Sequence, residues 1–197
     1  MKIVFASNNS HKLMEIRSII GNGCELLSLG DLNITADIPE EEPTLEGNAL
    51  AKARFVKKLT ALNVFADDTG LEVEALGGLP GVKSARFAGE NCDSSANIDL
   101  LLSMLAGNSN RKARFRTVFA LIYNGTEYIM EGIVDGTITG ERKGGKGFGY
   151  DPVFIPCGST KTFAEMELSE KNMVSHRARA LEKLYAELNR LNGTCYK

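Results

Sequence analysis

The segment that most constrains the fold is Val64–Leu71 (VFADDTGL), an apolar run that ends in two adjacent carboxylates. Apolar runs rich in Val and Phe are typical of buried strands, whereas Asp is a poor strand residue. The sequence therefore predicts that Asp67 and Asp68 lie where a strand leaves the sheet, which is where open α/β sheets bind ligands. Because side chains alternate along a strand, one carboxylate is expected to brace the fold while the other faces a cleft and holds a hard cation. A plain turn is the alternative, since Asp-Asp-Thr-Gly also suits a turn.

Composition excludes several classes of protein. The 197 residues, 43% hydrophobic and 24% charged, predict one soluble globular domain that covers residues 1–197. A formal net charge of −2 offers no basic surface for general nucleic-acid binding. No apolar run approaches the roughly 20 residues of a membrane span, so no membrane partner is expected. Four scattered cysteines without a C-x-x-C pair, and no signal-peptide core, indicate free thiols and predict a cytoplasmic protein.

Strand and helix patterns are mixed along the chain, which predicts an α/β fold. The expected strands are Lys2–Ala6, Val64–Ala66, Ala113–Tyr123 and Glu127–Ile133, the last pair joined as a hairpin by Asn124-Gly125. Helices are expected after Ser10, after Thr44, over Asn97–Leu105 and from about Ser175 to Leu191. In the helix after Thr44, periodicity places Ala49 and Val56 inward and Lys52 mainly outside.

Polar residues connect the first strand to the first helix. Ser7 to Ser10 are N-cap candidates, and the same turn presents unpaired backbone N–H groups at the positive end of a helix dipole. Lys12 lies one turn further on and adds a full positive charge. The residues therefore either cap the helix or form an anion site.

A glycine-rich basic loop, Gly140–Gly147 (GERKGGKG), almost matches a P-loop. It lacks the final Ser or Thr that binds Mg²⁺, and the sequence Phe148–Pro152 that follows cannot open a regular helix. A P-loop kinase or ATPase is therefore rejected. Phe148 and Tyr150 either flank a planar base or belong to a structural turn.

Basic side chains gather at the start of the last helix, where Ser175-His176-Arg177 follows Lys171. Cations there oppose the helix dipole, which favours a functional role over a stabilising one, although basic residues are common on surfaces. No Cys-His or Ser-His-Asp pattern suggests covalent catalysis. The sequence thus offers a possible metal site, a possible phosphate-binding turn and a possible aromatic pocket. Together they suit a nucleoside phosphate with Mg²⁺.

The motifs resemble those of the inosine triphosphate pyrophosphatase family, and they appear in family order from residue 7 to residue 177. The motifs are Ser7–Lys12 (SNNSHK), Ala66–Leu71 (ADDTGL), Pro80–Arg86 (PGVKSAR), Phe148–Pro152 (FGYDP) and Ser175–Arg177 (SHR).

The resemblance implies a fold and an activity. The expected fold is a mixed central sheet flanked by helices, with two lobes and an active-site cleft between them. The implied reaction is Mg²⁺-dependent hydrolysis of dITP, ITP and XTP to the nucleoside monophosphate and pyrophosphate, which cleanses the nucleotide pool. A small-molecule substrate and a homodimer are the implied partners.

The resemblance also assigns roles to individual residues. Asp68 is the implied proton acceptor and Mg²⁺ ligand, with Glu40 as second ligand, although Glu41 and Glu42 adjoin it. The implied substrate-binding residues are Ser7, Asn8, Asn9, Ser10, His11 and Lys12 for the triphosphate, Thr69, and Phe148, Gly149, Tyr150, Asp151, Lys171, His176 and Arg177 for a purine with a 6-keto oxygen.

Two alternatives use the same residues differently. One is a nucleotide-binding sensor that keeps the pocket without turnover. The other is an enzyme of the septum-inhibition nucleotide pyrophosphatase type, which would prefer dTTP or UTP. Chain length and the Ser175–Arg177 motif argue against the latter.

Overall fold

The computed structural model describes residues 1–20, 24–36, 38 and 40–193. The strands are β1 Lys2–Phe5, β2 Glu25–Leu27, β3 Asn63–Val73, β4 Pro80–Gly81, β5 Lys112–Tyr123, β6 Thr126–Ile138 and β7 Phe154–Pro156. The α-helices are α1 Ser10–Ile19, α2 Leu45–Lys57, α3 Ser94–Met104, α4 Leu168–Val174 and α5 His176–Asn192. Short 3₁₀ helices cover Gly30–Leu32, Glu74–Leu76, Ser84–Arg86, Asp151–Val153 and Phe163–Glu165. The mixed α/β prediction is confirmed.

The strands form one sheet in the order β2-β1-β3-β5-β6-β7, with β4 paired to β3. Strand β1 is parallel to both β2 and β3, whereas β4 is antiparallel to β3 and β7 is antiparallel to β6. Neighbouring strands β5 and β6 are joined by Asn124 and Gly125, whose φ angles of 48° and 84° suit the tight turn of a hairpin. The predicted hairpin is therefore confirmed.

The prediction that the strand ends at the aspartates is wrong. Strand β3 continues from Asn63 to Val73 with Asp67 and Asp68 in its middle. Its parallel partner β1, however, stops at Phe5, which is opposite Phe65. Both carboxylates therefore lie just past the end of β1 within a continuous strand, and burial with cationic partners offsets the weak strand propensity of Asp.

The chain divides into two compact units, each with its own hydrophobic core. The first unit comprises Met1–Asp68, Thr117–Gly132 and Arg177–Lys197, and the second comprises Thr69–Arg116 and Ile133–His176. The core of the first unit includes Phe5, Phe65, Phe119, Leu181 and Leu184. The core of the second unit includes Leu71, Leu101, Phe115, Phe154 and Phe163. The single domain and the cleft between two lobes stay predictions.

No helix in the described part of the chain is long and apolar enough to cross a membrane. Of the cysteines expected to be free, Cys24, Cys92 and Cys157 are free thiols. Cys195 lies outside the described residues.

Candidate active site

The turn between β1 and α1 is organised by its own side chains. Asn9 is the N-cap of α1, and its Oδ1 accepts hydrogen bonds from His11 N at 3.0 Å and Lys12 N at 3.1 Å. Ser7 Oγ accepts from Asn9 N at 3.2 Å. The capping interpretation is thus confirmed, because these N–H groups already have acceptors. The side chains of Asn8, Ser10 and His11 are exposed, so a phosphate ligand would meet them rather than the capped N–H groups.

Asp67 is the bracing member of the carboxylate pair. Its side chain is buried and accepts from Lys12 Nζ at 3.0 Å, and Arg177 Nη2 lies 3.6 Å from Asp67 Oδ2. Burial opposes ionisation of Asp67, but Lys12 and Arg177 outweigh it and lower its pKa to about 2. In Lys12, burial lowers the pKa although Asp67 favours the charged form. Asp67 therefore holds two side chains in place: Lys12, which was predicted to bind phosphate, and Arg177, which was predicted to bind the base.

Arg177 is anchored from a second direction. It is 1% exposed, and its Nη1 forms an ion pair with Glu15, a buried residue of α1 that the sequence analysis did not select. A buried guanidinium must be paired on several sides, because leaving any charge uncompensated is costly. Arg177 therefore has carboxylate partners from both α1 and β3.

Asp68 has a different set of partners, all from α2. Its Oδ1 accepts from Lys52 Nζ at 2.9 Å, and its Oδ2 accepts from Asn48 Nδ2 at 3.1 Å. Burial raises the pKa of Asp68, although Lys52 beside it favours the ionised form. A raised pKa makes a carboxylate a stronger base, as a proton acceptor requires. Asp67 and Asp68 thus contact different partners, as expected for neighbouring side chains that point to opposite sides of an extended strand.

Lys52 joins the two carboxylates that were predicted to bind metal. Its Nζ donates to Glu40 Oε1 at 2.8 Å as well as to Asp68. Burial lowers the pKa of Lys52, but Asp68, Asp67 and Glu40 outweigh this effect and raise it overall. Lys52 is only 4% exposed, so its expected position on the outer face of α2 is wrong. The physical reason is that the carboxylates of Asp68 and Glu40 offset the free-energy cost of burying the Lys52 charge.

Asn48 fixes the acidic loop against α2. Its Oδ1 accepts from Glu42 N at 2.9 Å while its Nδ2 donates to Asp68. Thr44 caps α2 as expected, because its side chain accepts from Gly47 N at 3.0 Å. Glu41 and Glu42 are exposed, and Glu40 is the member of the acidic run whose carboxylate shares Lys52 with Asp68.

The donor set of this cluster fits a hard divalent cation. Glu40 Oε1 and Asp68 Oδ1 lie 2.8 Å and 2.9 Å from the same cationic atom, Lys52 Nζ, so the two carboxylates are close enough to share one cation. Among the residues that the structure describes, no group of three or more His, Cys, Asp or Glu could hold a metal. Magnesium commonly takes one or two carboxylates and completes its shell with water and substrate phosphates, so a pair is sufficient.

A second cluster, in the other unit, is built from aromatic rings and one buried ion pair. Lys171 Nζ donates to Asp151 Oδ2 at 2.5 Å, and both side chains are buried. The same Oδ2 accepts from Phe148 N at 2.9 Å. Lys171 Nζ lies 5.1 Å from the centre of the Phe148 ring and 5.4 Å from that of Phe163. The predicted base-binding residues Phe148, Asp151 and Lys171 are therefore brought together, while Phe163 was missed.

The remaining predicted residues of this unit are His176, Tyr150, Gly149 and Thr69. His176 is buried and stacks on Phe115, with ring centres 4.5 Å apart and an interplanar angle of 15°. Tyr150 Oη donates to Ser84 O at 2.9 Å. Gly149 has a φ of 58°, a left-handed conformation that favours glycine. Thr69 is half-buried at the start of this unit. No regular helix follows the basic loop, which agrees with rejecting a P-loop.

Fold and side chains together define a class, a mixed α/β protein with a carboxylate–lysine cluster suited to phosphate chemistry and an aromatic cluster suited to a planar ring. The chain belongs to the Ham1 family, whose family model matches residues 3–187. This match confirms the resemblance inferred from the motifs.

Relatives of known name cover nearly the whole chain. The dITP/XTP pyrophosphatase of Flavobacterium johnsoniae is 49% identical over 184 residues, covering 93% of this chain and 96% of that protein. The dITP/XTP pyrophosphatase of Porphyromonas gingivalis is 53% identical over 184 residues, covering 93% of this chain and 95% of that protein. The solved structure of a HAM1 protein from Coxiella burnetii superimposes with a TM-score of 0.87 at 38% identity, covering 96% of this chain and 99% of that chain.

Proposed function

We propose that this protein hydrolyses the non-standard purine nucleoside triphosphates dITP, ITP and XTP to the nucleoside monophosphate and pyrophosphate. The observation that carries the proposal is the convergence of the Glu40 and Asp68 carboxylates on one cationic group, Lys52 Nζ, with the Lys12–Asp67 pair at the adjacent residue. The names of the relatives from Flavobacterium johnsoniae and Porphyromonas gingivalis support the substrate class. The cytoplasmic location, the homodimer, and the expected lack of nucleic-acid and membrane partners stay predictions.

Glu40 and Asp68 would hold Mg²⁺ in this account. Magnesium, when bound, supplies positive charge that neutralises phosphate oxygens and lowers the pKa of coordinated water. Asp68 would accept a proton from the attacking water. Lys52 and Asn48 hold the Asp68 carboxylate in one orientation, so that its free energy of reorganisation is small.

Release of a monophosphate requires attack at the α-phosphorus, with pyrophosphate leaving in line. Negative charge then develops on the leaving group, and Lys12 is the cation on α1 available to stabilise it. The exposed side chains of Asn8, Ser10 and His11 give further polar contacts to the triphosphate. Asp67 contributes indirectly, because it fixes Lys12.

The aromatic cluster would recognise the base. Phe148 provides a ring face, and the buried Lys171 and Asp151 supply polar groups whose positions are fixed by their own ion pair. A donor that hydrogen-bonds a 6-keto oxygen is left unpaired by the amino group of adenine. Such a polar mismatch can reduce kcat/KM by as much as about 10⁴–10⁵-fold.

Product analysis tests this proposal. The protein is incubated separately with ITP, dITP, XTP, ATP, GTP, dTTP and UTP, with and without Mg²⁺, and the products are separated. The expected result is inosine or xanthosine monophosphate together with pyrophosphate, in the Mg²⁺ samples only. Nucleoside diphosphate together with inorganic phosphate would contradict the proposed chemistry. Nucleotide binding without turnover would favour a sensor instead, and preferred hydrolysis of dTTP or UTP would reassign the substrate class.

A further inference from the structure

The Pro80–Arg86 motif has no task in the reaction described above, yet it lies directly against β3. Within the second unit, β4 pairs antiparallel with β3 so that Gly81 is opposite Leu71. The neighbouring Gly70 approaches the same residue so closely that an added Cβ would lie 2.6 Å from Gly81 O. The motif is therefore packed on the stretch of β3 that immediately follows Thr69.

Ser84 is the central residue of this contact. It is 7% exposed, and its Oγ donates to Gly81 O at 2.6 Å and accepts from Leu71 N at 2.8 Å. Its backbone oxygen accepts from Tyr150 Oη at 2.9 Å. Burial raises the pKa of Tyr150, so the hydroxyl keeps its proton and remains a donor. Ser84 thus connects the backbone two residues after Thr69 with the aromatic motif.

The turn that carries Ser84 is also held from its other side. Asn97 of α3 is 3% exposed, and its Nδ2 donates to Ala85 O at 2.8 Å while its Oδ1 accepts from Ala88 N at 2.6 Å. A buried turn with satisfied polar groups on both sides is rigid, because any shift leaves a donor or acceptor unpaired. A displacement at Ser84 would consequently be passed on to Tyr150 rather than absorbed.

We propose that Ser84 is a positioning residue for base recognition, because it fixes the position of Tyr150 relative to Thr69. Asp151 follows Tyr150 directly and accepts a hydrogen bond from Phe148 N at 2.9 Å, so a shift of Tyr150 would also displace these two residues. The inference rests on the proposed function, because it assigns a specificity role within the same site. Small misplacements of a recognition group can lower the rate by as much as about a hundredfold. Loss of the hydrogen bond from Tyr150 Oη to Ser84 O should therefore change the kinetics measurably.

The test compares kcat and KM for ITP and ATP in the wild type, Ser84→Ala, Tyr150→Phe and the double variant. The matched control is Ser159→Ala, because Ser159 Oγ also accepts from a backbone N–H, that of Lys161 at 3.0 Å, and donates to a carbonyl oxygen, that of Lys161 at 3.2 Å. Ser84→Ala and Tyr150→Phe are each expected to lower the ITP-to-ATP ratio of kcat/KM by about tenfold. The control is expected to leave the ratio unchanged, and the double variant should lose no more than either single variant.

Equal losses with both nucleotides, at an unchanged ratio, would show that Ser84 only supports the fold, and would overturn the inference. If Ser84→Ala fails to fold, Tyr150→Phe alone decides, because it removes only the hydroxyl. The wild type separates the two claims. A wild type that releases no pyrophosphate from ITP refutes the proposed function, whereas an active wild type with unchanged ratios in the variants refutes the role of Ser84 alone.

Discussion

The two clusters of buried charge use opposite designs. The cluster around Asp68 and Lys52 combines three carboxylates with two lysines, and Lys52 and Asp67 each pair with two opposite charges. The carboxylates belong to Glu40, Asp67 and Asp68, and the second lysine is Lys12. The cluster around Lys171 contains one ion pair, with Asp151, enclosed by the rings of Phe148 and Phe163. The first cluster brings several charges of both signs together, while the second holds the Lys171–Asp151 pair beside aromatic rings. In the proposed function, the first cluster would carry the chemistry and the second would recognise the base.

The largest effect is expected from Asp68→Asn. An amide cannot accept the proton and is a poorer ligand for a hard cation, so kcat should fall by at least about a thousandfold while nucleotide affinity is kept. Steady-state kinetics and equilibrium binding of ITP measure the two quantities. Asp31→Asn is the control, since Asp31 is an exposed aspartate that pairs with Arg17. Full activity in Asp68→Asn would remove Asp68 from the mechanism.

Lys52→Met is expected to lower kcat/KM for every nucleotide by about a hundredfold. It leaves Glu40 and Asp68 facing each other without the intervening cation, which disturbs the orientation of both. The ITP-to-ATP ratio should stay constant, because this cluster does not recognise the base. A fall in kcat/KM confined to ITP would contradict the assignment of chemistry and base recognition to separate clusters.

Lys171→Met is expected to show the reverse pattern. The ITP-to-ATP ratio of kcat/KM should fall by at least about tenfold, whereas inhibition by pyrophosphate, which has no base, should keep its inhibition constant. The buried Asp151 loses its partner, so urea unfolding should show a loss of about 3–5 kcal/mol. A large rise in the pyrophosphate inhibition constant would contradict the assignment.

The smallest effect is expected for Arg54→Ala, which breaks a surface ion pair. Arg54 Nε and Nη2 each lie 2.7 Å from the Glu127 carboxylate. Because water screens this exposed pair, the urea concentration at the unfolding midpoint should change little, and turnover of ITP should not change. A loss of stability as large as that expected for Lys171→Met would show that burial does not explain the difference between the exposed and the buried ion pair.

Local signals in the sequence were sufficient for much of the fold. The Asn124-Gly125 turn predicted the β5–β6 hairpin, and Thr44 predicted the start of α2. The apolar run that precedes the two aspartates also drew attention to Asp68, whereas Lys171 was selected because it lies just before Ser175–Arg177 and by the family resemblance. What failed was the continuation of β3 through Asp67, which depends on cations that come from distant segments.

Lys52 and Glu15 were missed for a related reason. Helical periodicity assigns charged residues to the outer face, and it contains no information about a carboxylate on another element that makes burial favourable. A signal for Lys52 was present, because Asn48 lies four residues earlier on the same face of α2 and is itself a weak helix former. Glu15 offered no comparable signal, since its partner Arg177 is 162 positions away.

The central claim is that water attacks the α-phosphorus, so that its oxygen enters the nucleoside monophosphate and pyrophosphate leaves. Hydrolysis of ITP with Mg²⁺ in water enriched in ¹⁸O tests it most directly, because the label marks the phosphorus that was attacked. The account predicts one ¹⁸O in inosine monophosphate and none in pyrophosphate. Label in the pyrophosphate, or in free phosphate, would contradict it.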